Sequence, residues 1–290
     1  IINGDYFVYE HMDISNGLEG PIREKNGKSA HHFIVRHVYG VGPQNADSGS
    51  IFACSGISAD WCEDGVFWKN DVSYFGNYQQ TSEGDLHGIK PRNNVRRIWI
   101  LENDFHHLGG DSIQIGEANL SSANWPEYIY VHKNDFGENY ENPIDIKTAR
   151  LCIFSQNTCA GHNVVHNGGE DLWFINNQFT RDNEVGRVGF DNTGSTRLRL
   201  LGNTFYHVES LTTIDPTKEW VGSTDPVFVT YGSTATAFVN NTILGYSRGI
   251  RVSGSGGLHV VNNIFAGRDN TTDYDLFMAT ETLSNSVTAS

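Results

Sequence analysis

Leu172-Trp173-Phe174-Ile175-Asn176-Asn177-Gln178-Phe179 decides the fold. Apolar residues stand five and three places before Asn177, and an aromatic stands two places after it. Ile98-Trp99-Ile100-Leu101-Glu102-Asn103 with Phe105 repeats the pattern, as does Cys152-Ile153-Phe154-Ser155-Gln156-Asn157 with Cys159. Aligned on the asparagine, further copies end at Asn70, Asn134, Asn203, Asn241 and Asn263, followed by Val72, Phe136, Phe205, Ile243 and Phe265. Ile34-Val35-Arg36-His37 reads as an earlier copy with His37 in the asparagine place.

Each copy is an alternating strand, a turn and one further inward side chain. A unit of 20 to 38 residues cannot bury its apolar face alone. Stacking like units buries it and sets like residues about 4.8 Å apart. Asparagine suits the stacked turn because it tolerates left-handed backbone and can bond to the copy above. A second strand precedes each asparagine strand, as in Leu86-His87-Gly88-Ile89-Lys90, Pro143-Ile144-Asp145-Ile146-Lys147 and Gly249-Ile250-Arg251-Val252-Ser253.

With this repeat in view, the chain resembles the right-handed parallel β-helix proteins of the pectate-lyase-like superfamily. The expected fold is all-β: a single-domain right-handed parallel β-helix with an N-terminal cap and long loops. Residues 1–60 read as early coils and a cap, 60–267 as regular coils, and 268–290 as a C-terminal cap or tail. The long loops fall at 74–84, 117–127 and 206–225, where binding is expected on a rigid scaffold.

Composition agrees with many turns and little helix: 31 glycines among 290 residues, with 19% charged. The net charge of −14 argues against nucleic acid as a partner. No apolar run reaches membrane length. Composition leans towards a secreted or periplasmic protein. Spacing permits a small disulfide between Cys54 and Cys62, while Cys152 and Cys159 fall at apolar positions and read as buried thiols.

Strict alternation, with Ile144 and Ile146 inward, turns Asp145 and Lys147 outward. The same register gives an outer column of Lys90, Gln114, Asp145, Lys147, Asp191 and Arg251, with Gly88, Phe228 and Thr230 also outside. The coil at 163–167 is ambiguous: counting back from Asn177 puts His166 inside and Val165 outside, and a bulge reverses this.

The resemblance implies polysaccharide lyases that cleave uronic-acid chains by β-elimination. There a lysine or arginine takes the C5 proton and a second cation or calcium offsets the carboxylate. On that reading an acidic polysaccharide is the partner. Lys147 is the expected base, with Asp145 beside it and Arg150 and Lys90 near. His166 or His162 could exchange the proton, and Tyr140 could act as an acid. Lys90, Gln114, Tyr140, Arg150, Asp191 and Arg251 are the candidate substrate contacts. Calcium is the cofactor the sequence would admit, on the hard oxygens of Asp111, Glu117, Glu141 and Asp145. An ordinary exposed ion pair, worth about 0–1 kcal/mol, would place the same two residues at 145 and 147. Two rivals stay open: a glycoside hydrolase pairing Asp145 with Asp191 or Asp111, and a non-catalytic carbohydrate-binding adhesin of the tailspike kind.

Overall fold

The computed structural model describes residues 5–15, 30–46, 48–55, 61–77, 85–137, 139–165, 168–180, 189–206, 228–244, 248–253, 256–266, 274–278 and 287–289. Among them the chain winds as a parallel β-helix. One coil shows the rule. Strand Ile144–Ile146 is followed by Ala149–Ser155, then Thr158–Ala160, and the chain returns to His162–Val165, one rung above its start. Every pairing is parallel and joins equivalent strands of neighbouring coils, as in Ile144 with Ile113 and Asp145 with Val164. Crossovers between parallel strands are right-handed almost without exception.

The first strand of each coil belongs to a nine-stranded sheet, here the groove sheet. The other two join a nineteen-stranded sheet that bends at the asparagine corner. Strand Asp5–Ser15 pairs with His31–Val41, so the early residues continue the stack. At the far end Tyr274–Met278 and Val287–Ala289 extend the two sheets past residue 268.

The corner explains the repeat. The Nδ2 of Asn157 donates to Asn177 Oδ1 at 3.0 Å and to Val131 O at 3.1 Å. The same bonds link Asn103 to Asn134, Asn177 to Asn203 and Asn203 to Asn241. The left-handed residue is the one before the asparagine, not the asparagine itself: Lys69, Glu102, Lys133, Gln156, Asn176, Asn240 and Asn262 have φ of 51–54°. Val38, not His37, holds the asparagine place of the earlier coil, since Val38 N donates to Asn70 Oδ1 at 3.0 Å and His37 takes the left-handed turn.

Inside the coil, aromatics stack from rung to rung. Phe105 and Phe136 lie 4.9 Å apart between centroids, Phe154 and Phe174 4.4 Å, and Phe179 and Phe205 4.7 Å. Offset stacks of this kind add about 0.5–1.5 kcal/mol each beyond their buried area.

Cys152 and Cys159 are buried thiols. Cys54 and Cys62 are also free and buried, and they share a hydrogen bond rather than a disulfide.

Candidate active site

The register of the groove sheet departs from strict alternation in one place, and the site depends on it. On strand Asp85–Pro91, Ile89 lies in the core opposite Ile113. Gly88 faces inward as well: a Cβ there would meet Phe105 and Val72 in the core, and Ser112 O at 2.6 Å. Two successive inward residues bring His87 out on the same face as Lys90. On the next rung the partner of His87 is Asp111. The expected outward placement of Gly88 is therefore corrected, and His87, which alternation sends inward, becomes the centre of the site.

Three rungs contribute. The first gives Asp85, His87 and Lys90; the second Asp111, Gln114 and Glu117; the third Glu141, Asp145 and Lys147. All but Asp145 line one cavity of about 470 Å³. Asp145 lies beside it, bound to Lys147 at 2.7 Å.

His87 is 2% exposed. Its Nε2 lies 2.8 Å from Asp85 Oδ1 and 2.9 Å from Lys90 Nζ, and its Nδ1 lies 3.4 Å from Asp111 Oδ2. An ammonium and an N–H edge cannot bond to each other, so a 2.9 Å contact is a hydrogen bond only when one of the two nitrogens lacks a proton. The surroundings of the two nitrogens act in opposite directions. Burial opposes the imidazolium, but Asp111 and Asp85 outweigh it and hold His87 above its ordinary range. Burial pushes Lys90 down, the Arg92 charge adds to that, and Asp85 opposes it. The two shifts run towards each other, His87 up and Lys90 down, so the ordinary gap in basicity between imidazole and amine is narrowed across this contact.

Lys147 has the opposite character. Burial works against its charge, but the Asp145 carboxylate outweighs it and holds the ammonium above its usual range. A lysine held charged is no base. The expected role of Lys147 as base is disfavoured by its 2.7 Å contact with Asp145, whereas Lys90 shares its nearby anion with His87.

Asp145 and Asp111 are linked by a hydrogen bond across adjacent rungs. Burial and the neighbouring Asp111 charge push Asp145 up to about 7, against the pull of Lys147. Asp111 stays ionised: burial opposes this, but His87 and the Asn142 amide at 2.9 Å outweigh it. Two carboxyls within hydrogen-bond reach are closer than the separations of about 5 Å or more that glycoside hydrolysis uses, so this pair does not suit the hydrolase reading. Asp191 lies two rungs beyond Asp145.

The four oxygen donors named for calcium do not make a ready cradle. Asp111 is bonded to Asn142, Glu117 to Arg92 at 2.6 Å, and Asp145 to Lys147. No three His, Cys, Asp or Glu among the described residues are arranged to hold a metal ion.

Of the other candidates, Lys90 and Gln114 line the cavity. Arg150 does not: it starts a strand of the larger sheet and is bound to Glu127 at 2.7 Å. Tyr140 is buried at 5% exposure and outside the lining, which corrects its reading as a substrate contact or acid. His166 lies outside the described residues, as do Trp220 and nearly all of loop 206–225. Val165 is a core residue, and Val164 takes the column position between Asp145 and Asp191. Thr230 does not face out, and the side chain of Phe228 lies outside what the structure describes. Phe228 pairs with core Phe190 and Ile250, and Thr230 is buried against Asn192 Nδ2 at 3.2 Å.

No family model matches the chain, and no curated protein matches it in sequence. Solved structures do match in shape. The mannuronan C-5 epimerase AlgE4 A-module of Azotobacter vinelandii superposes with a TM-score of 0.64 at 13% identity, over 95% of this chain and 78% of that one. The fold is shared. The AlgE6 A-module of the same organism gives 0.61 at 14% identity, over 96% and 77%. Identities this low speak for the parallel β-helix alone.

Proposed function

We propose that this protein acts on an acidic polysaccharide, removing the C5 proton of a uronate unit and cleaving the chain by β-elimination. The observation that carries the reading is the 2.9 Å Lys90–His87 contact in the groove, where burial weakens the hold of Lys90 on its proton. Lys90 takes the C5 proton. Lys147, and Arg92 behind Glu117, offset the carboxylate charge that otherwise keeps this proton weakly acidic. The C5–H electrons form the C4–C5 double bond as the C4–O4 bond breaks. The proton for the leaving oxygen comes from the Asp145–Lys147 pair at the cavity wall, with Asp145 near its midpoint of about 7 at neutral pH.

A second reading shares the first step. If the proton returns to C5 from the opposite side, the product is an epimer and the chain stays intact. The likeness in fold to the two mannuronan C-5 epimerase modules favours it, and so does the presence of acid–base groups on two rungs on either side of Gln114.

The test is incubation with polymannuronate, polyguluronate, polygalacturonate and glycosaminoglycans. A rise in ultraviolet absorbance reports the unsaturated product of elimination. New reducing ends without that rise mean hydrolysis, and binding with no chemical change means a carbohydrate-binding module; either outcome overturns the reading.

A further inference from the structure

The groove sheet continues past the cavity. The column through Asp145 runs on through Val164 and Asp191, then by backbone register past position 229 to Arg251. One place along, the column of Thr230 and Val252 faces the core, and both are fully buried. Beyond it Tyr231 faces out and is 57% exposed. Arg251, on the next rung, is exposed too. At about 4.8 Å per rung, Tyr231 and Arg251 stand roughly 14 and 19 Å from Asp145 along the stack.

An aromatic ring and a guanidinium on adjacent rungs, offset by two residues along the strand, are suited to one kind of ligand. A pyranose ring offers an apolar C–H face to the aromatic. A uronate also carries a carboxylate that a guanidinium engages in a fork. Asp191, one rung before Tyr231, can accept hydrogen bonds from sugar hydroxyls. We propose that Tyr231 and Arg251 form a distal subsite for a uronate unit of the same chain that occupies the Lys90–Lys147 cavity. The subsite makes the protein prefer long polymers over short oligomers. This rests on the proposed uronate substrate, but it is a statement about binding and does not need the chemistry.

The test is therefore affinity. Titration calorimetry with polymannuronate and polygalacturonate, and with their trimers, compares a Lys90→Ala protein with one that also carries Tyr231→Ala and Arg251→Ala. Working in the Lys90→Ala background keeps the ligands intact. Circular dichroism checks that both proteins keep their strand content. The expected result is about tenfold weaker polymer binding, the size of one exposed stacking contact plus one exposed ion pair, with trimer affinity unchanged. Equal losses for polymer and trimer, or no loss for either, overturn the subsite. So does a protein that binds none of these ligands. If the polymer loss appears but wild-type protein performs no chemistry on any polyuronate, the subsite stands and the catalytic reading fails.

Discussion

Lys90 Nζ lies 2.9 Å from His87 Nε2, two side chains of one strand turned to the same face by an inward glycine between them. Burial pushes Lys90 down, whereas the Asp145 carboxylate outweighs burial and holds Lys147 up, so Lys90 is the base proposed here.

The two lysines should differ in how they tolerate arginine. Arginine keeps a positive charge at any working pH. Lys147→Arg therefore retains most of the activity on polyuronate, because Lys147 serves as a cation. Lys90→Arg loses activity by a factor of about 10² to 10⁴, the usual contribution of a general base. Initial rates of the two variants check this; equal losses would speak against the assignment.

Lys147→Ala should move the pH profile as well as the rate. Without the ammonium, Asp145 loses the charge that opposes burial and Asp111, so its pKa rises from about 7. The pH at which Asp145 gives up its proton moves upward by measured kcat against pH. An unshifted profile would show that Asp145 does not set it.

Asp145 also ties stability to pH. Its folded value of about 7 lies above the unfolded carboxyl value of 3.8. Between these limits the native state binds more protons than the unfolded one, so this group makes stability fall as pH rises from about 4 to 7, then level off. Asp145→Asn keeps a hydrogen-bond donor for Asp111 and removes the titration. Relative to wild type, the variant should gain on the order of a few kcal/mol at pH 8 over its standing at pH 4. Denaturant unfolding at the two pH values measures it; parallel curves would contradict it.

The asparagine ladder should be costly to interrupt. Asn157→Ala strands the backbone N–H of Asn134 and the Val131 carbonyl, both bonded to that side chain. Leaving buried partners unmade costs about 1–3 kcal/mol apiece, so a loss of roughly 2–4 kcal/mol is expected by denaturant unfolding. Asn262→Ala, at an exposed turn position, should cost far less.

Much of this was legible from residue pattern, and the rest failed for definable reasons. The asparagine and phenylalanine rows gave the coil because stacking forces like residues onto like positions. Lys90, Gln114, Asp145 and Lys147 were found because their strands alternate as assumed from those positions onward. His87 was missed because alternation was carried through Gly88, where the absence of a side chain lets two successive residues face the core. The clustering of Asp85, His87 and Lys90 in one short strand was the signal that could have found it. Arg150 was misplaced because nearness in sequence to Lys147 was taken for nearness in space, although a turn carries it onto the other sheet. Thr230 was set outside because the register was carried one residue out of phase into its strand, whereas it pairs with Asn192, which also meets its hydroxyl inside the coil.

The most direct measurement is exchange at C5. Polyuronate incubated with the protein in deuterium oxide is hydrolysed and its recovered uronates are read by mass spectrometry and nuclear magnetic resonance, with C4–C5 unsaturated ends counted alongside. The wild type should yield C5-derived change, as unsaturated ends or as deuterium at C5, and Lys90→Ala should yield neither while remaining folded. Full C5 chemistry in Lys90→Ala, or none in the wild type on any polyuronate, would contradict the assignment of Lys90 as the base.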